Sequence, residues 1–315
     1  MTPHQRVVAL GGGHGLSVTL KALRALGAEP VAIAGTGDDG GSSGRLREHL
    51  GVPPPGDLRM ALAALADEGL WLRVLQHRFG GTGDVEGHAL GNLILVALWE
   101  ETGDIVAGLD RLGAVLGVRG RVLPNCLDPV EVVADVIDDD GTVREVRGQA
   151  RLSAGAGRIT ALRLSPQQPR ACPEAVAAIR EASHVVIGPG SWFTSILPHA
   201  LVPEIASALR QTSARKILVL NAAPQAGETD GYLPGSYLAS WAEYAPDVRL
   251  DDVIVASEAV ADSEPLGDIV AGLGASLHVA NVLAGPGHHD PALLANALSG
   301  LGVLGGFSAL GGFRD

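Results

Sequence analysis

Three glycine-rich stretches hold the residues best suited to chemistry. Gly11-Gly12-Gly13-His14-Gly15 follows one short apolar run, and Gly35-Thr36-Gly37-Asp38-Asp39-Gly40-Gly41-Ser42-Ser43-Gly44-Arg45 follows a second. Gly188-Pro189-Gly190-Ser191 follows a third, with Thr194 and Ser195 close behind. Glycine lets main chain approach an anion with no Cβ in the way, and N–H groups at a helix start favour negative charge. The spacing of the first stretch is not G-x-G-x-x-G, and no Gly-Lys-Ser/Thr completes a P-loop. A nicotinamide cofactor is therefore not expected.

In the second stretch, one of the adjacent acids Asp38 and Asp39 suits a Mg²⁺ ion or a sugar hydroxyl. The amides of Gly40 and Gly41, the hydroxyls of Ser42 and Ser43, and Arg45 suit an anion. The plainer reading is a solvated turn in which a serine caps the next helix. Asp57, after Pro-Pro-Gly, fits a helix N-cap as well as a ligand contact shared with Arg59. His88 and Asn92 are spaced to share a helical face, where they contact a base or sugar or bond each other. Asn221, Gln225, Glu228 and Thr229 follow a strand pattern, where amides could read a nucleobase or sugar edge. His288-His289-Asp290 lacks metal-site spacing and reads as the start of a helix. No Ser/His/Asp or Cys/His constellation stands out, so nothing points to covalent catalysis.

Alternating strand and helix patterns must position these residues. The apolar run Arg6 to Leu10 leads through the first glycines into Leu16, Leu20, Leu23 and Leu26 at helical spacing, and Val31 to Ala34 reads as a second buried strand. Helical patterns follow from Asp57, from Ala89 to Trp99 and from Ile105 to Leu116. Val130 to Ile137 and Thr142 to Val146 flank an Asp-Gly turn and read as a hairpin, continued by Arg158 to Leu164. Alternation resumes with a helix from Pro173, strands His184 to Ile187 and Lys216 to Leu220, and a helix over Ile205 to Leu209 between them. Val253 to Ala256 and Leu277 to Ala280 read as later strands, and Asp290-Pro291 opens a last helix. The expected architecture is α/β: a Rossmann-like, mostly parallel doubly wound sheet with helices on both faces. One domain over residues 1–315 is expected, with a small β-rich subdomain inserted at 119–165.

Composition narrows the partners. With 315 residues, 46% hydrophobic and only 3% aromatic, the core must be built of Ala, Val, Leu and Ile. A formal charge of −12 repels a nucleic-acid backbone, so no nucleic-acid partner is expected. The two cysteines, Cys126 and Cys172, read as buried thiols. Neither a signal-peptide pattern nor a bilayer-length apolar helix is found, and the uncharged tail from Ala297 to Phe313 is broken by glycine. A cytoplasmic protein without membrane insertion is expected, and a homo-oligomer is compatible with this reading.

The three glycine stretches, together with Pro55-Gly56-Asp57-Leu58-Arg59, Gly87-His88-Ala89-Leu90-Gly91-Asn92 and Asn221 with Gln225 and Gly227-Glu228-Thr229, resemble the gluconeogenesis factor (YvcK-like) family. More distant relatives of that family are the phospholactate transferases of deazaflavin-coenzyme biosynthesis (CofD). The resemblance implies a Rossmann-like core, a nucleotide-sugar ligand of the UDP-N-acetylglucosamine or UDP-glucose kind, and a role in cell shape and envelope growth on gluconeogenic carbon sources. The alternative it implies is a Mg²⁺-dependent 2-phospho-L-lactate transferase-like enzyme, with Asp38 or Asp39 on the metal. The chain departs from the family pattern at Leu123-Pro124-Asn125-Cys126, Gly148-Gln149 and Gly235-Ser236-Tyr237.

Overall fold

The computed structural model describes residues 5–138, 140–155, 157–260 and 265–303. Residues 1–4, Asp139 of the hairpin turn and the tail from residue 304 onward, on which parts of the sequence reading rest, lie outside the described residues.

A seven-stranded parallel sheet forms the centre. Its first strands are β1 (Val7–Gly11), β2 (Val31–Ala34) and β3 (Arg121–Pro124). A three-stranded antiparallel unit follows in β4 (Glu131–Ile137), β5 (Val143–Arg147) and β6 (Arg158–Ser165). The parallel sheet is completed by β7 (His184–Ile187), β8 (Arg215–Val219), β9 (Asp252–Ala256) and β10 (Ser276–Ala280), in the order β10-β9-β8-β7-β1-β2-β3. The chain thus builds outward from β1 in one direction through β2 and β3, then returns to build from β7 in the other. The seam between β1 and β7, paired Val7 to His184 through Leu10 to Ile187, is the topological switch point where open α/β sheets bind ligands.

Alternation of side chains sets the two faces. Val8 and Leu10 of β1 pack with Val185, Ile187 and Leu218 in one core. Val7 and Ala9 pack with Val186, Ile217 and Ile254 in the other. Helix α1 (Gly13–Ala25) lays Leu16, Leu20 and Leu23 on the second core, their helical spacing making one apolar stripe. Helices α2 (Gly41–Leu50) and α3 (Gly56–Leu65) follow β2, and α3 packs on α1. Helices α4 (Leu70–Gln76), α5 (Leu90–Thr102) and α6 (Ile105–Leu116) complete the helical middle of the chain.

The antiparallel unit is smaller than the expected 119–165 insert. Arg121–Pro124 pairs in parallel with β2, so its buried Val122 and Leu123 belong to the main sheet and the insert begins with β4. A short helix, α7 (Gln149–Ser153), joins β5 to β6. Cys126 and Cys172 are both free and buried, and desolvation pushes their thiols up to about 11 and about 12. Both remain protonated at neutral pH.

At the switch point the backbones of two glycine loops touch. A Cβ placed on Gly15 would stand 2.1 Å from the Pro189 carbonyl oxygen, so neither loop can keep its position with a larger residue there. Gly15→Ala is expected to destabilise the fold by about 1–3 kcal/mol, the usual cost of forcing extra volume into a packed site. Gly35→Ala, where a Cβ meets nothing within 4 Å, serves as the control. Equal melting temperatures for the two variants would refute the contact.

Candidate functional site

The first loop is the exit of β1. Gly12 caps α1 without a side-chain bond, and Gly13 begins the helix at φ +53°, a conformation open mainly to glycine. The first-turn N–H groups of a helix point out of its amino end, so this end presents donors and partial positive charge. Asp57 answers part of it, since its carboxylate accepts from the Gly13 amide. A Cβ on Gly12 would lie 2.4 Å from Asp57 Oδ2 and 3.2 Å from Ser195 Oγ, so Gly12 is pinched between the first turn of α3 and the third loop region. Asp57 is not the helix cap that its sequence position suggested. Pro55 caps α3, and Asp57 stands in the first turn with its side chain aimed at the first loop.

The second loop separates its two acids. Asp38 Oδ1 accepts from Gly40 N at 3.0 Å, and its carboxyl lies beside the Ser43 hydroxyl. Ser43 Oγ in turn accepts from Gly56 N at 3.0 Å, and a Cβ on Gly56 would come within 2.7 Å of Asp38 Oδ2. Asp39 faces the other way: its Oδ1 accepts from Ala150 N at 2.7 Å, in the first turn of α7. Asp39 therefore fastens the antiparallel insert to the second loop, whereas Asp38 turns toward Ser43 and Gly56. The carboxylate that shares the crevice with Asp38 is Asp57, whose proton affinity Asp38 raises less than burial does, while the nearby charge of Asp39 raises that of Asp38. Desolvation comes first for both, and it carries Asp57 up to about 7. Among the described residues no group of three or more His, Cys, Asp and Glu side chains is placed to hold a metal ion.

Ser42 is the hub of a buried polar network. His88 Nδ1 lies 2.9 Å from Ser42 Oγ, and Asn92 Nδ2 donates to the same oxygen at 2.9 Å. Asn92 Oδ1 accepts from Arg59 Nε, also at 2.9 Å. His88 precedes α5 and is not on its face, so the two residues meet through the serine instead of bonding each other. Arg59 is 4% exposed; desolvation lowers its pKa to about 10, and the guanidinium stays charged. Arg45 leaves the glycine turn and bonds the Glu86 carbonyl oxygen.

The third loop is already supplied with an anion. Glu228 Oε1 accepts from Phe193 N at 2.7 Å and Thr194 N at 3.1 Å, while Ser191 Oγ donates to Oε2 at 2.5 Å. Ser191 and Thr194 also bond each other. Asn221 Oδ1 accepts from Gly190 N at 3.0 Å, and Gln225 Oε1 accepts from Asn221 Nδ2 and Trp192 N. Thr229 Oγ1 bonds Gln225 N and the Tyr237 hydroxyl. The side chains expected to read a base or sugar thus hold the loop to the protein, and the amides expected to receive a phosphate receive Glu228. Ser195, against Gly12, turns from this loop toward the first one.

Two supporting residues escaped the sequence reading. Thr19 Oγ1 donates to Gly188 O at 2.7 Å, and His199 Nε2 lies 3.0 Å from Gly11 O, so both tie the first loop to the third. Thr19 carried a signal, since it is the polar residue on the otherwise apolar stripe of α1; His199 carried none.

Residues 7–266 match the family described as 2-phospho-L-lactate transferase CofD. A protein of Mycobacterium leprae (strain TN), provisionally named a gluconeogenesis factor, is 48% identical over 309 residues, or 94% of this chain and 86% of that protein. The gluconeogenesis factor of Bacillus subtilis (strain 168) is 41% identical over 258 residues, or 82% of this chain and 80% of that protein. A crystal structure of a UPF0052 family member from Bacillus halodurans superposes with a TM-score of 0.86 at 35% identity, covering 95% of this chain and 100% of that one.

The electrostatics of Asp57 have a measurable consequence. Its pKa rises from 3.8 when solvated to about 7 in the fold, so between those values the folded protein holds a proton that the unfolded chain has released. Stability from this group is fully present below pH 3.8 and is lost as pH rises through about 7. Asp57→Asn has no proton to lose. Its stability relative to the parent protein, measured by urea denaturation, is expected to increase from pH 4 to pH 7. A difference that stays flat over this window would show that Asp57 is ionised throughout.

Proposed function

Because this chain belongs to the CofD family, and is similar to gluconeogenesis factors over most of its length, we propose that it is a gluconeogenesis-factor protein whose crevice binds a UDP-type nucleotide-sugar. By the resemblance, binding serves regulation of cell shape and envelope growth on gluconeogenic carbon. The observation that carries the ligand reading is the amino end of α1, where Gly12 supplies no capping side chain to the first-turn N–H groups. The second loop and Arg59 border the same space through Asp57. Glu228 fills the third loop's donors, so the phosphates belong on the first and second loops.

A second reading, a Mg²⁺-dependent phospholactyl transferase-like enzyme, is favoured by the Asp38 and Asp57 pair. Two neighbouring buried carboxylates with raised proton affinity are hard oxygen donors that a divalent cation would satisfy better than a proton. Asp38, Asp57 and the Ser43 hydroxyl would hold Mg²⁺, which when bound would neutralise charge on phosphoryl oxygens. Arg59 would keep the pair from repelling an anionic ligand.

Calorimetry and thermal stabilisation across UDP-sugars, guanine nucleotides and NAD(P), each with and without Mg²⁺, test both readings. Saturable UDP-sugar binding without turnover is expected, lost on Asp57→Lys. Mg²⁺-dependent consumption of a guanine-nucleotide carrier would install the transferase in its place, and binding confined to NAD(P) would overturn both.

A further inference from the structure

One positive cluster stands without carboxylate partners in a chain whose net charge is −12. Residues 77–90 form a hairpin between α4 and α5: Phe79 N donates to His88 O at 3.1 Å, Gly87 N to Phe79 O at 2.8 Å, and Leu90 N to His77 O at 2.8 Å. Arg78 pairs with Ala89 across its base. Gly87 turns the returning arm at φ +71° and exposes consecutive carbonyls to two guanidiniums. Arg78 Nη1 donates to Gly87 O at 2.9 Å, and Arg45 donates to the neighbouring Glu86 O. Arg59 joins from below, held by Asn92, and the positive field of Arg78 reaches it.

Several other arginines in this protein behave otherwise. Arg24, Arg121, Arg147, Arg163, Arg170 and Arg215 all pair with carboxylates. Among the described residues no ion pair joins Arg45, Arg59 or Arg78 to an acid, and Arg45 Nε is shut from solvent with no hydrogen-bond partner. Asp57 and Asp38 act on Arg59 only from beyond ion-pair range. Arg78 repels Arg59, and Arg45 and Arg78 donate to adjacent carbonyls; with planar forks matched to phosphate oxygens, the three form a receptor awaiting an anion.

We infer that Arg45, Arg59 and Arg78 form a phosphate-binding subsite on the hairpin side of the crevice, with Arg78 as a ligand-contacting residue on an arm that closes over the phosphoryl groups. The class of ligand is a diphosphate, as in a nucleoside diphosphate ester: one phosphate at the amino end of α1, the other on the arginines. This rests on the reading of the crevice as a phosphorylated-ligand site, and it assigns the hairpin a part in holding the ligand. The hairpin suits that part, because its base is bonded while a Cβ on Gly80, Gly81 or Gly83 at its tip would meet nothing within 4 Å.

The test is calorimetry on the full chain with inorganic pyrophosphate and with UDP-N-acetylglucosamine. Arg78 is exposed and bonds only a carbonyl, so Arg78→Gln is expected to melt with the parent protein when ligand-free. It should bind pyrophosphate about ten-fold or more weakly, with Arg78→Lys intermediate, because lysine keeps the charge and loses the fork. Arg210→Gln, an equal charge change in the last turn of a distant helix, should bind as the parent does. Parental affinity in Arg78→Gln, or equal loss in Arg210→Gln, overturns the subsite. Pyrophosphate binding that depends on Arg78, with no binding of the nucleotide-sugar, leaves the subsite standing and removes the nucleotide-sugar reading. Nucleotide-sugar binding indifferent to Arg78 does the reverse, and binding of neither removes both.

Discussion

The close approach of Gly15 to Pro189 is the constraint from which the rest of the crevice follows. Two parallel strands whose partners lie 177 residues apart in sequence can pair at β1 and β7 only if the loops leaving their carboxyl ends share one small space. Backbone must meet backbone there, and glycine on the first loop makes this feasible. Once it is met, Thr19 reaches Gly188, His199 reaches Gly11, and the amino end of α1 is fixed relative to the third loop. Asp57 and Ser195 then close around Gly12 from either side.

Within that frame the loops share out their polar groups unequally, and the inequality defines the site. The third loop is saturated by residues of its own chain, with Glu228 lying where a bound anion would lie. The first loop gives the Gly13 amide to Asp57, and the second places Asp38 and Ser43 beside Gly56 while sending Asp39 away to α7. On the proposed reading a protein of net charge −12 holds a polyanion because helix donors and unpaired arginines act on it at short range. Distant surface acids are screened by salt over about 10 Å.

The fold was largely legible in the sequence, because periodicity is a direct image of burial. Val31–Ala34, Ile105–Leu116 and His184–Ile187 have the bounds their apolar patterns predicted. The insert was placed too early because Val122 and Leu123 form an apolar run too short to reveal which sheet it joins; only pairing with β2 decides that. The site was legible as a set of loops and illegible in its wiring. Asp38 and Asp39 are neighbours in sequence, yet successive side chains of an extended segment leave on opposite sides, and no pattern says which one faces the crevice. Asp57 looked like a cap because caps and ligand contacts use the same residue type. Glu228 offered no sign that it would supply the third loop's anion, since the spacing of 37 residues from Ser191 carries no local rule.

The unequal wiring also joins the insert to the crevice at two points. Asp39 ties the start of α7 to the second loop. At the far end of the same helix Gly155 lies so near Gly227 that a Cβ on Gly227 would stand 2.4 Å from the Gly155 Cα. Gly227 is next to Glu228, whose carboxylate holds the third loop. A shift of the α7 segment therefore cannot leave either loop undisturbed: at one end it pulls on the turn that carries Asp38, and at the other it presses on the residue beside Glu228. Close-packed contacts of this kind transmit displacement because there is no free volume to absorb it. The antiparallel sheet is thus mechanically part of the crevice, though it contributes no residue to the amino end of α1.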